Sequence, residues 1–268
     1  MAHVSLKDVT FAYPNGFVAI DHINIEIEKG ENVAIVGQNG AGKTTTVKMC
    51  NGLLRPTKGD VKIGDMNTKD YTTAQVSRKV GYVFQNPDDQ IFHSSVYDEV
   101  VFGPKMMKLA NEKVEKQVDY ALKITGMDVF KNENPYNLPL STRKFITIAA
   151  IIAMDTEVMI FDEPTAGQDL EGNRRLSAIL KELHHQGKTV ITISHDMEFV
   201  VSNFERVIVM ANKKVVTSGP PKKIFWDFPA LEEAMLKQPY ISQLCNSLNL
   251  GEGIIHLEEA VKAIKDRS

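Results

Sequence analysis

The 268-residue sequence has little cysteine: Cys50 and Cys245 are the only two, and they lie far apart. They make no metal-type pair, a lone structural disulfide is disfavoured, and a reducing, cytosolic compartment is expected. Positive charge is not in excess. Lys plus Arg is 31 and Asp plus Glu is 34, a formal net charge of -3 with a pI near 6.2. That balance gives no footprint for nucleic acid. Long apolar runs are missing. The longest, Phe145 to Met154, is broken by Thr147, whereas a spanning helix needs ~20 apolar residues. The start, Met1-Ala-His-Val-Ser-Leu-Lys-Asp, has no basic segment followed by an apolar core, so no signal peptide is expected. Repeats, low-complexity tracts and flexible linkers are absent too. What is present is ordinary globular composition, 43% apolar and 24% charged, which excludes intrinsic disorder. At ~150 residues per domain the length gives a soft count just under two.

Periodicity predicts an α/β chain. Val4 to Tyr13 alternates as a half-buried strand, Pro14-Asn15-Gly16 signals a turn, and Ile23 to Glu28 alternates with period two. Asn32 to Val36, Val158 to Phe161, Thr189 to Ile193 and Val207 to Met210 are short apolar runs that read as buried strands. Val61 to Ile63 and Lys79 to Phe84 add two more. From Val96 to Met154 the chain reads as helical. Asn111 is the expected N-cap of a helix carrying Val114, Val118, Ala121 and Leu122, and Gly126 its stop. Leu176, Ile179, Leu180 and Leu183 form another helical stripe. Strand and helix alternating from Val158 onward predicts a mainly parallel sheet. After Gly219-Pro220-Pro221 short helices follow. In the last, Leu257, Ala260, Val261 and Ile264 share one apolar face that can dock on its own domain or on a partner.

The sharpest local signal runs from Gly37 to Thr44, Gly-Gln-Asn-Gly-Ala-Gly-Lys-Thr, after a buried strand and before a helix. It fits G-x-x-x-x-G-K-[ST] at every specified position, in the context that motif needs. Gly37, Gln38, Asn39, Gly40, Ala41, Gly42, Lys43, Thr44 and Thr45 are therefore the expected phosphate-binding residues. Glycines let the backbone wrap phosphate oxygens, and the helix N-terminus adds oriented positive charge. Lys43 is expected on the β- and γ-phosphates, and the Thr44 hydroxyl on Mg²⁺. Val158-Met-Ile-Phe-Asp162-Glu163-Pro164 sets two carboxylates at the end of a buried strand, the edge where open α/β sheets bind ligands. Asp162 suits Mg²⁺, and Glu163 suits a general base for water. Gln85 and His195 also follow strand ends. Gln85 can reach Mg²⁺ or the lytic water, and His195 can reach a γ-phosphate. Tyr13, before a turn, can stack on a base or simply pack.

These motifs, in this order from Val4 to Gly219, resemble the ATPase subunit of ATP-binding cassette (ABC) transporters, a P-loop NTPase fold. The resemblance implies an N-terminal antiparallel β subdomain, a helical subdomain at about 90–155 within a cassette at 1–219, and a helical extension at 220–268. It implies Tyr13 as the adenine-stacking aromatic and 37–44 as Walker A. Gln85 matches the Q-loop, 158–163 Walker B with its catalytic glutamate, 166–169 the D-loop and His195 the switch histidine. ATP and Mg²⁺ follow as cofactors. The stretch from Val83 to Phe92, then Val96 to Pro104, is similar to energy-coupling-factor (ECF) transporter ATPases. Those energise uptake of vitamins or of cobalt and nickel. The implied partners are a second ABC ATPase, a transmembrane coupling subunit and a substrate-binding membrane subunit, with no nucleic acid. The implied location is the cytoplasmic face of the cell membrane, held peripherally, and the tail is implied in dimerisation.

One motif departs. The family reads Leu-Ser-Gly-Gly-Gln, while the ungapped register here gives Leu138-Pro139-Leu140-Ser141-Thr142. Pro139 has no N–H and Leu140 carries a side chain where glycine permits close approach. The expectation is an asymmetric heterodimer, in which this chain hydrolyses ATP against a partner's complete signature while the site using 138–142 is weak. A slow homodimer is the competing reading. Asp88 and Asp89 are candidate contacts for a basic coupling helix, or a solvated turn. Other classes remain: another ABC importer, a soluble ABC protein of DNA repair or translation, or a non-catalytic regulatory subunit.

Overall fold

The structure is a computed structural model that describes residues 2–267. Its strands are β1 (Val4–Ala12), β2 (Val18–Ile27), β3 (Asn32–Val36), β4 (Lys58–Ile63), β5 (Met66–Asn67), β6 (Val80–Val83), β7 (Val158–Asp162), β8 (Thr189–Ile193), β9 (Arg206–Ala211) and β10 (Lys214–Gly219). Its helices are α1 (Lys43–Cys50), α2 (Thr73–Val76), α3 (Val96–Met106), α4 (Asn111–Thr125), α5 (Leu140–Ala153), α6 (Leu170–His185), α7 (Met197–Asn203), α8 (Pro221–Ile224), α9 (Phe228–Glu233), α10 (Tyr240–Ser247) and α11 (Leu257–Lys265).

Two sheets form. The antiparallel one has order β2-β1-β4-β5, and the larger has order β10-β9-β3-β8-β7-β6. The larger is parallel except for β10, which pairs antiparallel with β9. Every residue of β3, β7 and β8 is buried. Covered on both faces, these strands read as continuous apolar runs. One core lies between the two sheets and includes Val47 and Met49 of α1. The other lies beneath α3 to α7 and takes in Phe145, Leu176, Leu180 and Phe199. The six-stranded sheet divides them, so its strand ends are left to face outward along one edge.

Local differences from the sequence expectation have local causes. Ala110, not Asn111, is the N-cap of α4; its backbone is already extended (φ -62, ψ 142), so Asn111 becomes the first helical residue. Gly126 ends that helix in the left-handed region (φ 68), as expected. The β9–β10 hairpin turns through Asn212 and Lys213, both at positive φ (48 and 70). Such a tight turn matches the twist of the strands, but it usually announces itself with glycine, and here lysine stands in that place. In the tail, Ala260 of α11 is buried while Leu257, Val261 and Ile264 are 59%, 41% and 43% exposed. Tyr240 and Leu244 of α10 and Leu248 at its C-terminal cap are exposed as well. The tail is seated on the body through Phe225 and Ile255, both in the helical-side core, and the Trp226 indole N–H donates to the Ile254 carbonyl at 3.2 Å.

Candidate functional site

The phosphate loop leaves β3 through backbone that only glycine accommodates. Gly37 has φ 150, and a Cβ there would lie 2.0 Å from the Met210 carbonyl oxygen of β9. Gly42 has φ 100, and a Cβ there would meet the Ile20 side chain at 2.5 Å and the Ala19 carbonyl at 2.8 Å. Gly42 is also the N-cap of α1 and supplies no side-chain cap. The first amides of α1 are thus free to bind an anion. Lys43 is 6% exposed. Its amine donates to the carbonyls of Gly37 (2.7 Å) and Gln38 (3.1 Å) and lies 3.3 Å from His195 Nε2.

The sheet order places β8 between β3 and β7. Asp162 pairs in register with Ile193, so the residues after both strands emerge together beside the loop. Glu163 has φ 49, a left-handed conformation that is uncommon for glutamate. Its amide donates to the Ile193 carbonyl at 3.0 Å. Its carboxylate takes the backbone N–H of His195 on Oε2 (3.2 Å) and lies 3.1 Å from His195 Nε2 through Oε1. Burial raises the Glu163 pKa, against the opposing pull of Lys43. Burial and then Lys43 lower that of His195, favouring its neutral ring. Burial likewise lowers Lys43, with Glu163 and Asp162 opposing.

Asp162 is 2% exposed and sits behind this surface. One carboxylate oxygen accepts the Thr44 hydroxyl at 3.3 Å, and the other accepts the Tyr82 hydroxyl at 2.6 Å. Thr44 and Asp162 therefore meet as hard oxygen donors, and Thr44 and Gln85 line the cavity in front of Asp162. Among the described residues no cluster of three His, Cys, Asp or Glu could hold a metal on its own. A few protein oxygens completed by substrate phosphates is the arrangement Mg²⁺ uses, and these residues fit it.

The resulting cavity has a volume of about 650 Å³. Its floor is the phosphate loop with Glu163 and His195, and Tyr13 stands at its mouth. The Tyr13 hydroxyl is 3.4 Å from Thr45 Oγ1. Its ring stacks on Phe17 with centroids 6.5 Å apart, and the Lys213 amine lies 4.7 Å over the Phe17 ring. Asn39, Gly40, Gly42, Lys43, Thr44, Thr45, Gln85, Glu163 and His195 line this space as expected. Gly37, Gln38, Ala41 and Asp162 do not, and instead support those that do.

The 138–142 segment does not reach this cavity. α5 begins at Leu140 with Pro139 as an N-cap that offers no side-chain bond, and Leu140 is 50% exposed. Asp88 is not a free surface charge, because its carboxylate accepts a 2.6 Å bond from Arg143. Sequence reasoning missed Phe17, Tyr82 and Lys144. Tyr82 sits three residues before Gln85 with no motif to mark it. Lys144 was hidden inside an apolar helix. It is 2% exposed, and its amine donates to the carbonyls of Phe84 (3.2 Å) and Gln85. Burial lowers its pKa to about 8.

Known proteins are similar to this chain in sequence and fold. The family description "ABC transporter" matches residues 20–166. The energy-coupling factor transporter ATP-binding protein EcfA of Methanocaldococcus jannaschii is 41% identical over 94% of this chain and 91% of its own length. A putative ABC transporter ATP-binding protein of Caldanaerobacter subterraneus is 40% identical over 98% of this chain, which spans about half (46%) of that relative's length. Among solved structures, cbiO1 from Clostridium perfringens, described as part of the ABC transporter complex cbiONQ, superposes with a TM-score of 0.78 at 34% identity. The match covers 91% of this chain and 99% of that one. A dimeric ATP-binding cassette in a post-hydrolysis state bound to ADP and Pi gives a TM-score of 0.73 at 28% identity, over 81% of this chain and 98% of that one.

Proposed function

The chain belongs to the ATP-binding subunits of ABC transporters, among the relatives of the energy-coupling-factor ATPases, and from that premise we propose that it energises uptake of a vitamin or a transition-metal ion. It does so beside a transmembrane coupling subunit and a substrate-binding membrane subunit, held peripherally at the cytoplasmic face of the membrane. Among the described residues no helix is long and apolar enough to cross one. The cassette is residues 1–219 with its helical subdomain near 90–155, and the 220–268 extension serves dimerisation. The exposed apolar residues of α10 and α11 support that last assignment.

The observation that carries the reading is the convergence of Glu163, His195 and Lys43 on the floor of one cavity, with His195 Nε2 within 3.3 Å of both partners. ATP lies with its phosphates on the 37–45 loop and its base against Tyr13. Thr44, Asp162 and Gln85 would hold Mg²⁺, which would neutralise phosphate charge there. Lys43 and His195 hold the γ-phosphate. Glu163 accepts a proton from the attacking water, whose oxygen bonds to the γ-phosphorus as the bond to the β–γ bridging oxygen breaks. Positioning and charge neutralisation are most of what such a transfer needs. The degenerate 138–142 segment supports an asymmetric heterodimer with a second cassette. Glu163→Gln tests the assignment: the variant keeps ATP binding and loses most hydrolysis, and near-normal turnover would assign the base elsewhere.

A further inference from the structure

Lys144 is a buried charge with no part in the proposed reaction. It is the fifth residue of α5, among the buried apolar neighbours Phe145, Ile146 and Ile148. Taking an ammonium out of water costs several kcal/mol unless good partners replace the water, and an apolar side chain would fill such a place at no such cost. Among the described residues the Lys144 amine makes no direct ion pair, and the carboxylates of Asp162 and Glu163 act on it only at longer range. Its hydrogen-bond partners are the carbonyl oxygens of Phe84 and Gln85.

Those two carbonyls lie just past the sheet. The last registered pair between β6 and β7 is Val83 with Phe161, so the ladder does not hold residues 84 and 85. Side chains do. The Phe84 amide donates to Gln90 Oε1 at 3.0 Å, and Lys144 takes both carbonyls. One residue before Lys144, Arg143 binds Asp88 farther along the same loop. α5 therefore grips the segment from Phe84 to Asp88 at two points, and the degenerate 138–142 stretch runs into its first turn.

We propose that Lys144 is a positioning residue for hydrolysis: its amine fixes the backbone of Gln85, so the Gln85 side chain faces the nucleotide cavity in a place set by α5. The inference rests on the reading that Gln85 serves the nucleotide site. A rotation of the helical layer then moves Gln85 with it, and the contact at 138–142 is mechanically tied to this chain's own cavity.

The test is a cycle of Lys144→Met, Gln85→Ala and the double variant in the full chain, with its partner cassette present. Lys144→Met should lower kcat by ~10-fold, a loss of ~1.4 kcal/mol of transition-state stabilisation, with KM for ATP little changed. Lys144→Arg, which keeps the donors, should recover most of that rate. The double variant should be no slower than Gln85→Ala alone, because both changes break one link. Calorimetric ATP affinity without Mg²⁺ should stay at the wild-type value, while the gain in affinity on adding Mg²⁺ shrinks in both single variants. Should Lys144→Met fail to fold, Lys144→Gln takes its place in the cycle. An unchanged kcat, or losses that multiply in the double variant, would overturn the proposal. If Gln85→Ala itself leaves turnover and the Mg²⁺ effect intact, the role given to Gln85 fails instead.

Discussion

The Glu163 carboxylate meets His195 twice, its Oε2 accepting the backbone N–H at 3.2 Å and its Oε1 lying 3.1 Å from ring Nε2. The proposed base and the proposed γ-phosphate contact are thereby held as one unit across two neighbouring strands. The left-handed backbone of Glu163 (φ 49) turns the carboxylate toward that partner.

Replacing the carboxylate separates binding from chemistry. Glu163→Gln should slow ATP hydrolysis by ~10²-fold or more, the range of general-base catalysis. ATP affinity measured by calorimetry should stay near the wild-type value, since the phosphate loop is untouched.

The pH profile should show the buried base. As the proposed base Glu163 would work ionised, and burial holds its pKa above the ordinary 4.5, so the acidic limb of kcat/KM should lie above that value. The same shift has a stability consequence. A raised folded pKa stabilises below the unfolded pKa, and that contribution is lost as pH rises through the folded one. Glu163→Gln should therefore melt at or above the wild-type temperature near neutrality, with the gap closing below pH 4.5. A variant that melts lower at neutral pH would show that ionised Glu163 stabilises the fold.

Base stacking is expected to govern affinity. Tyr13→Ala should weaken ATP binding ~5- to 50-fold, on the scale measured for base–aromatic stacking, and leave tripolyphosphate binding unchanged. Equal losses for both ligands would place Tyr13 in the packing of the loop instead.

The 138–142 segment predicts slow turnover by this chain alone. Pairing it with a second cassette that carries an intact signature should raise the rate several-fold. Brisk homodimeric hydrolysis would remove the asymmetry.

The tail can be tested without touching the cavity. Leu257→Glu with Val261→Glu, both exposed on α11, should weaken association with the second cassette in sedimentation experiments. The melting temperature of the chain alone should move little, because Ala260 stays buried. Unaltered association would assign that face elsewhere.

Much of this was readable from sequence because the signals are local. The phosphate loop states its own backbone requirements in Gly37, Gly42 and Lys43, and the apolar runs at 32–36, 158–161 and 189–193 must be strands buried on both faces. The acidic pair follows one of those strands directly, so its place at the sheet edge needs no knowledge of distant contacts. Tertiary structure decided what depends on residues far apart in the chain. Asp162 became a buried support held by Thr44 and Tyr82 rather than part of the cavity lining. Asp88 was taken up by Arg143. Lys144, invisible inside an apolar helix, found two carbonyls ~60 residues upstream, a pairing that periodicity cannot register because it reads spacing within one element and not contact between elements.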